Sequence, residues 1–397
     1  MNILSLFDGM ACGMLAMQSA GITVDRYVAF EIDKYAVQTS THNFPMIEHR
    51  GDVFQADFTE FSGFDFLVGG SPCTYWSIAQ KNNRETEASG MGWELFSQYV
   101  RALHEAQPMY FIYENNKSMS NAIRESITQT FGFEPICINS ALVSAQNRQR
   151  LYWVGKRNPD GTYSKVNVEQ PEDRGILLKD ILDSATDGQA IGIGYRGRAE
   201  EGKWVKRYES NGEPKANALT TCQYDSMVAQ PVASSVLNIH PSGKGINGLV
   251  GRIDAKSRCI TTNKGEGYKI LVPVDSKCQY AIPIEFDGDT PTKAVSCSDG
   301  KEYTVFEVVG GIITIKEKQY PIKMPDGFYI IRKLTVNECK RLQTVPEWFE
   351  FPVSDTQAYK MLGNGWTVEV IAHLIIATQS YDFGEECQLN LFEMVGV

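Results

Sequence analysis

The stretch NILSLFDGMACGMLAMQSAGITVDRYVAFE, residues 2–31, decides the fold. Asn2–Phe7 is a short, β-rich apolar run followed by a glycine-containing turn. Met14–Ala20 has helical periodicity, and Tyr27–Glu31 reads as a second strand. The alternation continues outward, with Lys34–Asn43 as a helix, Phe66–Gly69 as a strand, Glu94–Gln107 as a helix and Tyr110–Glu114 as a strand. Strands alternating with helices predict parallel βαβ units in a doubly wound, Rossmann-like α/β sheet. Ligands on such sheets bind beyond the carboxyl ends of the strands, where each turn discussed below falls.

The pattern holds to about Lys156. From there to about Phe328 helical periodicity disappears, and short Val/Ile/Tyr/Thr runs lie between turn signals such as Ser210-Asn211-Gly212 and Phe286-Asp287-Gly288-Asp289. This predicts an irregular, β-rich inserted domain. A small element recurs inside it, at Ala218–Thr221, Cys259–Thr262 and Ala294–Cys297, and suggests repeated strand-turn units. The tail returns to helix: Thr335–Leu342, with Thr335 and Glu338 spaced as a capping box, and the apolar Thr367–Thr378. The expected division is 1–157 for the first part of an α/β domain, 158–327 for the insert, and 328–397 for a segment completing the first domain.

Length and composition fit this plan. A chain of 397 residues suits two or three domains, and 43% hydrophobic with 22% charged residues is the balance of a folded protein. No uninterrupted apolar run has the roughly 18 residues of a membrane span, and Met1–Phe7 lacks the basic start of a signal peptide. Nine scattered cysteines without a CxxC pair argue against a disulfide framework or a zinc site, and for a reducing cytoplasm. The net charge of −10 disfavours extensive phosphate contact, but Tyr195–Lys269 holds 12 Lys and Arg against 7 Asp and Glu. One basic segment on an acidic body suits local contact with nucleic acid; chance fluctuation is the plainer reading.

Several residues stand where chemistry would be placed. Phe7-Asp8-Gly9-Met10-Ala11-Cys12-Gly13 shares the strand–glycine turn–helix layout of nucleotide sites without matching G-x-G-x-x-G, so it serves equally as a structural turn. Glu31, at the tip of the second strand, can accept from ribose hydroxyls, and Asp52 from an adenine amino group. Cys73, in Gly69-Gly70-Ser71-Pro72-Cys73, follows an apolar strand and is stiffened by proline, whereas most cysteines are small core hydrophobes. The polar stretch Thr74–Gly92, ending Ser89-Gly90-Met91-Gly92, has the composition of a lid with glycine hinges. Glu114 follows the strand Tyr110–Tyr113 and serves either chemistry or the cap of the next helix. Alternation sends Gln146, Arg148 and Arg150 to one side of the strand Leu151–Val154 and its approach, either into a site or onto a solvated face.

These pieces, with Arg332-x-Leu334-Thr335-x-x-Glu338-Cys339-x-Arg341-Leu342-Gln343 and Gly363-Asn364, closely resemble the ordered motifs of the cytosine carbon-5 DNA methyltransferases of bacteria and phages. The resemblance covers roughly 1–157 and 328–375, though the wording of Leu4–Met14 is nearer the animal de novo enzymes. It implies a methyltransferase of Rossmann-like fold, with the insert as target-recognition domain. It further implies S-adenosyl-L-methionine as cofactor, double-stranded DNA as substrate, a cytosine flipped out of the duplex, no metal and no membrane. A restriction endonuclease of matching specificity is a candidate functional partner, and the chain is expected to act as a monomer. Carried over by residue, Cys73 adds to carbon 6, Glu114 holds ring nitrogen 3 and the amine, Arg148 holds the base carbonyl, and Arg150 braces the site. The cofactor falls to Phe7, Asp8, Gly9, Gly13, Glu31, Ile32, Asp52, Val53, Pro72, Asn364 and Trp366. DNA falls to Ser77, Gln80, Arg196, Arg198, Lys206, Arg207, Arg252 and Arg258. Departures from the usual wording are Asn116 after Glu114-Asn115, Thr74-Tyr75-Trp76 after Cys73, and Gly365-Trp366 after Asn364.

Three rivals remain at this stage. A tRNA cytosine methyltransferase of the same fold usually has a smaller insert. A silent regulatory relative should have lost Cys73 or Glu114. An unrelated Rossmann-type oxidoreductase would leave both, and the arginine pair, without work.

Overall fold

The computed structural model describes residues 1–77, 84–183, 190–200, 203–210, 212–221, 226–232, 282–287, 290–296, 299–315 and 317–383. Two compact units emerge, Met1–Gly175 with Cys339–Val397, and Ile176–Glu338.

The first unit is built on strands β1 (Asn2–Leu6), β2 (Arg26–Phe30), β3 (Glu48–His49), β4 (Phe66–Gly69), β5 (Tyr110–Asn116), β6 (Ile136–Asn139), β7 (Gln146–Asn147), β8 (Gln149–Arg157) and β9 (Tyr163–Lys165). Its sheet runs β3-β2-β1-β4-β5-β8-β6, with β9 on β8. Pairs among β1 to β5 are parallel. With β2 on one side of β1 and β4 on the other, the winding reverses there, opening a crevice at the carboxyl ends. The helices are α1 (Cys12–Ser19), α2 (Lys34–Asn43), α3 (Gly90–Ala106) and α4 (Asn121–Phe131), joined by α5 (Val336–Leu342), α6 (Asp355–Asn364) and α7 (Val368–Phe383) from the other end of the chain. Central strands covered on both faces need continuous apolar runs, and Ile3, Leu4, Leu6, Val28, Leu67, Val68, Phe111 and Ile112 are all buried.

The far edge departs from the all-parallel expectation: β8 lies antiparallel between β5 and β6. Only nine residues join β6 to β8, too few for a parallel crossover, so the chain turns straight back. The α/β reading also stopped too early, because β9 pairs with β8 and keeps residues past 157 in the first unit. Helix α6 was not anticipated. The apolar stretch Asp355–Ser380 is long enough to cross a membrane by length and composition, but it is 61% buried in the fold.

The second unit contains β10 (Ile191–Glu200), β11 (Lys203–Ser210), β12 (Ala216–Asn217), β13 (Met227–Pro231), β14 (Ile282–Asp287), β15 (Thr290–Val295), β16 (Glu302–Val309), β17 (Ile312–Ile315), β18 (Lys318–Pro321) and β19 (Gly327–Lys333). Its antiparallel sheet runs β11-β10-β13-β19-β16-β15-β14, with the β17–β18 hairpin on β16. Because β19 pairs with β13 and β16, residues 328–333 belong to this unit, not to the returning segment. The repeat does not hold where it is described: Ala218–Thr220 has no regular structure, Ala294-Val295 ends β15, and Cys259–Thr262 and Cys297 lie outside the described residues.

The capping box at 335–338 forms in both directions: Thr335 N–H donates to Glu338 Oε2 (2.8 Å), and Glu338 N–H donates to Thr335 Oγ1 (3.1 Å). Arg332 Nη1 and Nη2 donate to the same carboxylate at 2.8 Å each, and its Nε donates to Gln230 Oε1 (2.8 Å). Arg332 and Glu338 side chains are 1% and 0% exposed. A buried pair of this kind is costly to break from one side. Arg332→Met should therefore lower stability by about 3–5 kcal/mol in urea unfolding. Arg332→Met with Glu338→Leu, which leaves no charge buried alone, should recover much of the loss.

Candidate active site

The β1–α1 turn is conformationally expensive. Phe7 (φ 57°) and Ala11 (φ 68°) adopt the left-handed region beside Gly9 (φ 61°). Non-glycine residues pay for that conformation, which concentrates at functional sites. The turn forms one wall of a cavity at the sheet's carboxyl edge, lined also by Glu31, Pro72, Glu114, Arg148, Arg150, Asn364 and Trp366.

Glu31 fixes the turn from the end of β2. Its Oε2 accepts from Gly9 N–H (2.9 Å), and its Oε1 accepts from Ile32 N–H and Asp33 N–H (2.8 Å each). Asp8 lies beneath. Ser5 Oγ and Tyr27 OH both donate to its Oδ1, at 2.6 and 2.7 Å, while its Oδ2 is buried with no partner. Burial pushes the Asp8 carboxyl up to about 6, against the smaller lowering by the two hydroxyls. Burial likewise raises the Cys12 thiol to about 12.

Four expected cofactor residues do not line the cavity: Gly13, Ile32, Asp52 and Val53. Gly13 has a packing role, since an added Cβ would sit 2.5 Å from Tyr27 OH. Asp52 caps a 3-10 turn by accepting from Phe54 N–H (3.0 Å), and Val53 is a core residue. Ile32 is 76% exposed. Sequence reading missed Cys12, Asp33, Lys360 and Met361 on the wall; Lys360 Nζ donates to Asp33 Oδ2 (2.7 Å). Asp33 carries a signal only as cap of α2, and Lys360 none, because it sits on the unanticipated α6.

Past β4, Gly70-Ser71-Pro72 leads into a single 3-10 turn, Cys73–Tyr75; the Cys73 side chain lies outside the described part of the structure. Asn115 anchors this loop from β5. Its Nδ2 lies 3.2 Å from Ser71 O and 3.3 Å from Ser71 Oγ, and Ser71 Oγ pairs with Tyr113 OH (2.7 Å). Gly70 passes so close to β5 that an added Cβ would lie 2.6 Å from Glu114 O and 3.0 Å from Oε2.

Glu114 is no helix cap, because α4 is capped by Ser120. Its carboxylate is held from two sides, by Arg150 Nε on Oε1 (3.0 Å) and Trp366 Nε1 on Oε2 (3.0 Å). The solvated-face alternative for the 146–150 alternation also fails. Gln146 and Arg148 are buried, and Arg148 Nη2 donates to Gly363 O (3.1 Å) and Gly365 O (2.9 Å).

The stretch read as a glycine-hinged loop ends in helix instead. Gly90 and Gly92 lie in the first turn of α3, and Gly92 N–H donates to Glu85 Oε2 (3.1 Å), which also accepts from Trp76 Nε1 (3.1 Å). Ser77 is half-buried, and Gln80 lies outside the described residues.

The basic residues of the β10–β11 hairpin divide between two faces. Arg196 pairs across with Arg207, whose Nε donates to Glu209 Oε1 (3.0 Å). Lys206, opposite Gly197, places Nζ 5.7 Å from the Tyr195 ring. Arg198 pairs with Val205, but its side chain lies outside the described part, as do Arg252 and Arg258 altogether.

A largely parallel sheet with a strained first turn, an acid at the end of its second strand and a carboxylate–guanidinium pair on the same cavity defines a Rossmann-like α/β domain with a ligand site at its carboxyl edge. An adenosine-bearing, positively charged group fits the wall, which offers Glu31, Asp33 and a buried Asp8 oxygen lacking a partner. The family model of C-5 cytosine-specific DNA methylases matches residues 1–380, and the chain belongs to that family. It is 27% identical to the orphan methyltransferase M.SPRI of Bacillus phage SPR, covering 94% of this chain and 95% of that one. It is also 27% identical to the type II methyltransferase M1.ScrFI of Lactococcus lactis subsp. cremoris, over 86% of this chain and 68% of that one. The solved structure of the Entamoeba histolytica methyltransferase EhMeth shares the fold, with TM-score 0.50 at 13% identity over 97% of this chain and 99% of that one. The chain is thus a DNA cytosine methyltransferase, with S-adenosyl-L-methionine as methyl donor and cytosine carbon 5 as acceptor.

Asp8 yields a test of the site's electrostatics. Its raised pKa means that between about pH 4 and 6 the folded chain keeps a proton that the unfolded chain has lost. Stability must fall as pH rises through that window, and the cost persists above it. Asp8→Asn still accepts from Ser5 and Tyr27 but cannot ionise. It should be more stable than the parent by about 3 kcal/mol at neutral pH, with the advantage vanishing near pH 4. Urea unfolding at several pH values checks this; a gain independent of pH would show that Asp8 is not the titrating group.

Proposed function

We propose that Cys73 is the nucleophile and that Glu114 and Arg150 hold the target cytosine at the inner end of the cavity, in duplex DNA from which the base is flipped out. The observation that carries this reading is the Arg150–Glu114–Trp366 cluster on the wall that also carries Asp8 and Glu31. Cytosine carbon 5 is a weak nucleophile until a group adds to carbon 6. A Cys73 thiolate adding there forms the carbon–sulfur bond and shifts the electron pair toward carbon 5. Glu114, accepting from the exocyclic amine and sharing a proton with ring nitrogen 3, stabilises the charge that develops. S-adenosyl-L-methionine supplies the electrophilic methyl group. Loss of the carbon-5 proton then expels Cys73 and restores the aromatic ring.

The geometry favours exchanging the roles expected for the two arginines. Arg150 meets Glu114 and faces the base, while Arg148 is committed to the carbonyls of Gly363 and Gly365 and braces the α6–α7 junction. Phe7, Asp8, Gly9, Glu31, Pro72, Asn364 and Trp366 remain as the cofactor wall, with exposed Ile32 available to a purine face. Asn115 positions the Cys73 loop through Ser71. Cys12, Cys137 and Cys339 are not in disulfides, which suits a reducing cytoplasm. A monomeric chain, alone or beside an endonuclease of matching specificity, completes the reading.

Cys73→Ser should abolish methyl transfer while leaving cofactor affinity and the melting temperature close to the parent's. DNA carrying 5-fluorocytosine should trap the parent enzyme as a covalent complex, because the proton whose loss frees Cys73 is absent. Residual methylation above about a hundredth of the parent rate would exclude the covalent role.

The inserted unit, residues 176–338, is assigned to reading DNA sequence. It holds the basic hairpin bearing Arg196, Lys206 and Arg207 on a chain that is otherwise strongly acidic. A chimaera with the insert of a relative of known specificity should methylate that relative's sequence, as read by bisulfite sequencing. An active chimaera that still modifies the original site would overturn the assignment.

A further inference from the structure

Trp366 stands between α6 and α7, and its indole reaches back across the cavity to β5. Its Nε1 lies 3.0 Å from Glu114 Oε2, while Arg150 Nε lies 3.0 Å from Oε1. The Glu114 side chain is only 12% exposed and that of Arg150 16%, so solvent contributes little to holding the carboxylate. An ion pair on one oxygen leaves a carboxylate free to turn about its terminal torsion, which is broad and soft. A directional hydrogen bond on the other oxygen fixes the plane.

The indole is itself well supported. Gly365 O accepts from Arg148 Nη2 (2.9 Å), Gly365 N–H donates to Met361 O (2.7 Å), and the backbone of Trp366 hydrogen-bonds the Cys12 thiol. Gly70 supplies the space on the opposite side, where a Cβ would stand 3.0 Å from Oε2. Each carboxylate oxygen accepts at more than one position, so the Trp366 hydrogen bond and the Arg150 ion pair leave acceptor capacity for a substrate.

We infer that Trp366 is a positioning residue for methyl transfer: its indole N–H fixes the plane of the Glu114 carboxyl group, so that it accepts from the amine of the cytosine and shares a proton with the ring nitrogen. This rests on the reading of Glu114 as the group that holds the base. Trp366 thereby serves the base site, although its place on the cavity wall also suggests the cofactor.

The test is Trp366→Phe, which keeps the aromatic bulk and removes the donor. Turnover should fall about tenfold, the worth of one well-placed hydrogen bond. The dissociation constant of S-adenosyl-L-methionine, measured by calorimetry, should stay within about twofold, since the ring remains. The limb of the kcat–pH profile that disappears in Glu114→Gln should move to higher pH in Trp366→Phe, because the ionised carboxylate loses a donor. In the Glu114→Gln background the same change should cost less than about twofold, as expected of residues acting through one another.

Full multiplication of the two losses would overturn the inference while leaving Glu114 in its role. Unchanged kcat with cofactor affinity weakened would likewise overturn it and return Trp366 to the cofactor alone. Unchanged turnover in Glu114→Gln by itself would overturn the reading of Glu114, and the inference with it.

Discussion

The Glu114 carboxylate is held by residues from opposite ends of the chain, and much of the architecture follows from that. Arg150 comes from β8, the strand that turned back against the parallel order, and Trp366 comes from the segment returning after the second unit. Neither donor reaches Glu114 until the sheet has acquired its antiparallel edge and the distant C-terminal segment has docked. Docking is itself secured by buried polar groups. Gln146 Nε2 and Ser144 Oγ donate to Leu342 O, Gln343 Nε2 donates to Leu362 O, and Thr367 Oγ1 donates to Gln343 Oε1. Such groups lose water on burial and recover the cost only in one arrangement, so they specify position more than they add stability.

The opposite wall follows a different logic. Three left-handed residues in five and a buried carboxylate with a raised pKa are features that folding alone would select against. Glu31 offsets part of the cost by accepting three backbone N–H groups, which also makes it rigid. A cationic cofactor held on this wall would offset another part by favouring the ionised form of Asp8.

What could be read from the sequence was whatever local periodicity or a local motif encodes. The strands at 2–6, 26–30 and 66–69, helix α2 and the reciprocal Thr335–Glu338 cap all depend on residues close in sequence. Glu31 and Glu114 were legible because strand ends at a sheet's carboxyl edge are where ligands meet side chains. The antiparallel β8 was not, since its apolar run Leu151–Val154 looks the same in either direction. The packing role of Gly13 was not legible, because a glycine that admits Tyr27 OH and one that admits a ligand look alike in sequence. The bond from Trp366 to Glu114 spans 252 positions and no periodicity carries it.

Charge gives the arrangement its final constraint. An acidic chain repels DNA at long range, and attraction between charges fades within about 8 Å at physiological ionic strength. Contact with phosphates therefore falls to whatever basic groups lie locally against them. On the β10–β11 hairpin those groups are not equivalent: Arg207 is already neutralised by Glu209, whereas Lys206 rests on Tyr195, a neutral ring. A lysine held over an aromatic face keeps its full charge for a phosphate. An arginine paired with a carboxylate must first give up that partner, or else hold it in place as part of a fixed hydrogen-bonding surface. The hairpin's two faces thus differ in kind, one presenting a lysine over an aromatic ring and the other an arginine held in an ion pair.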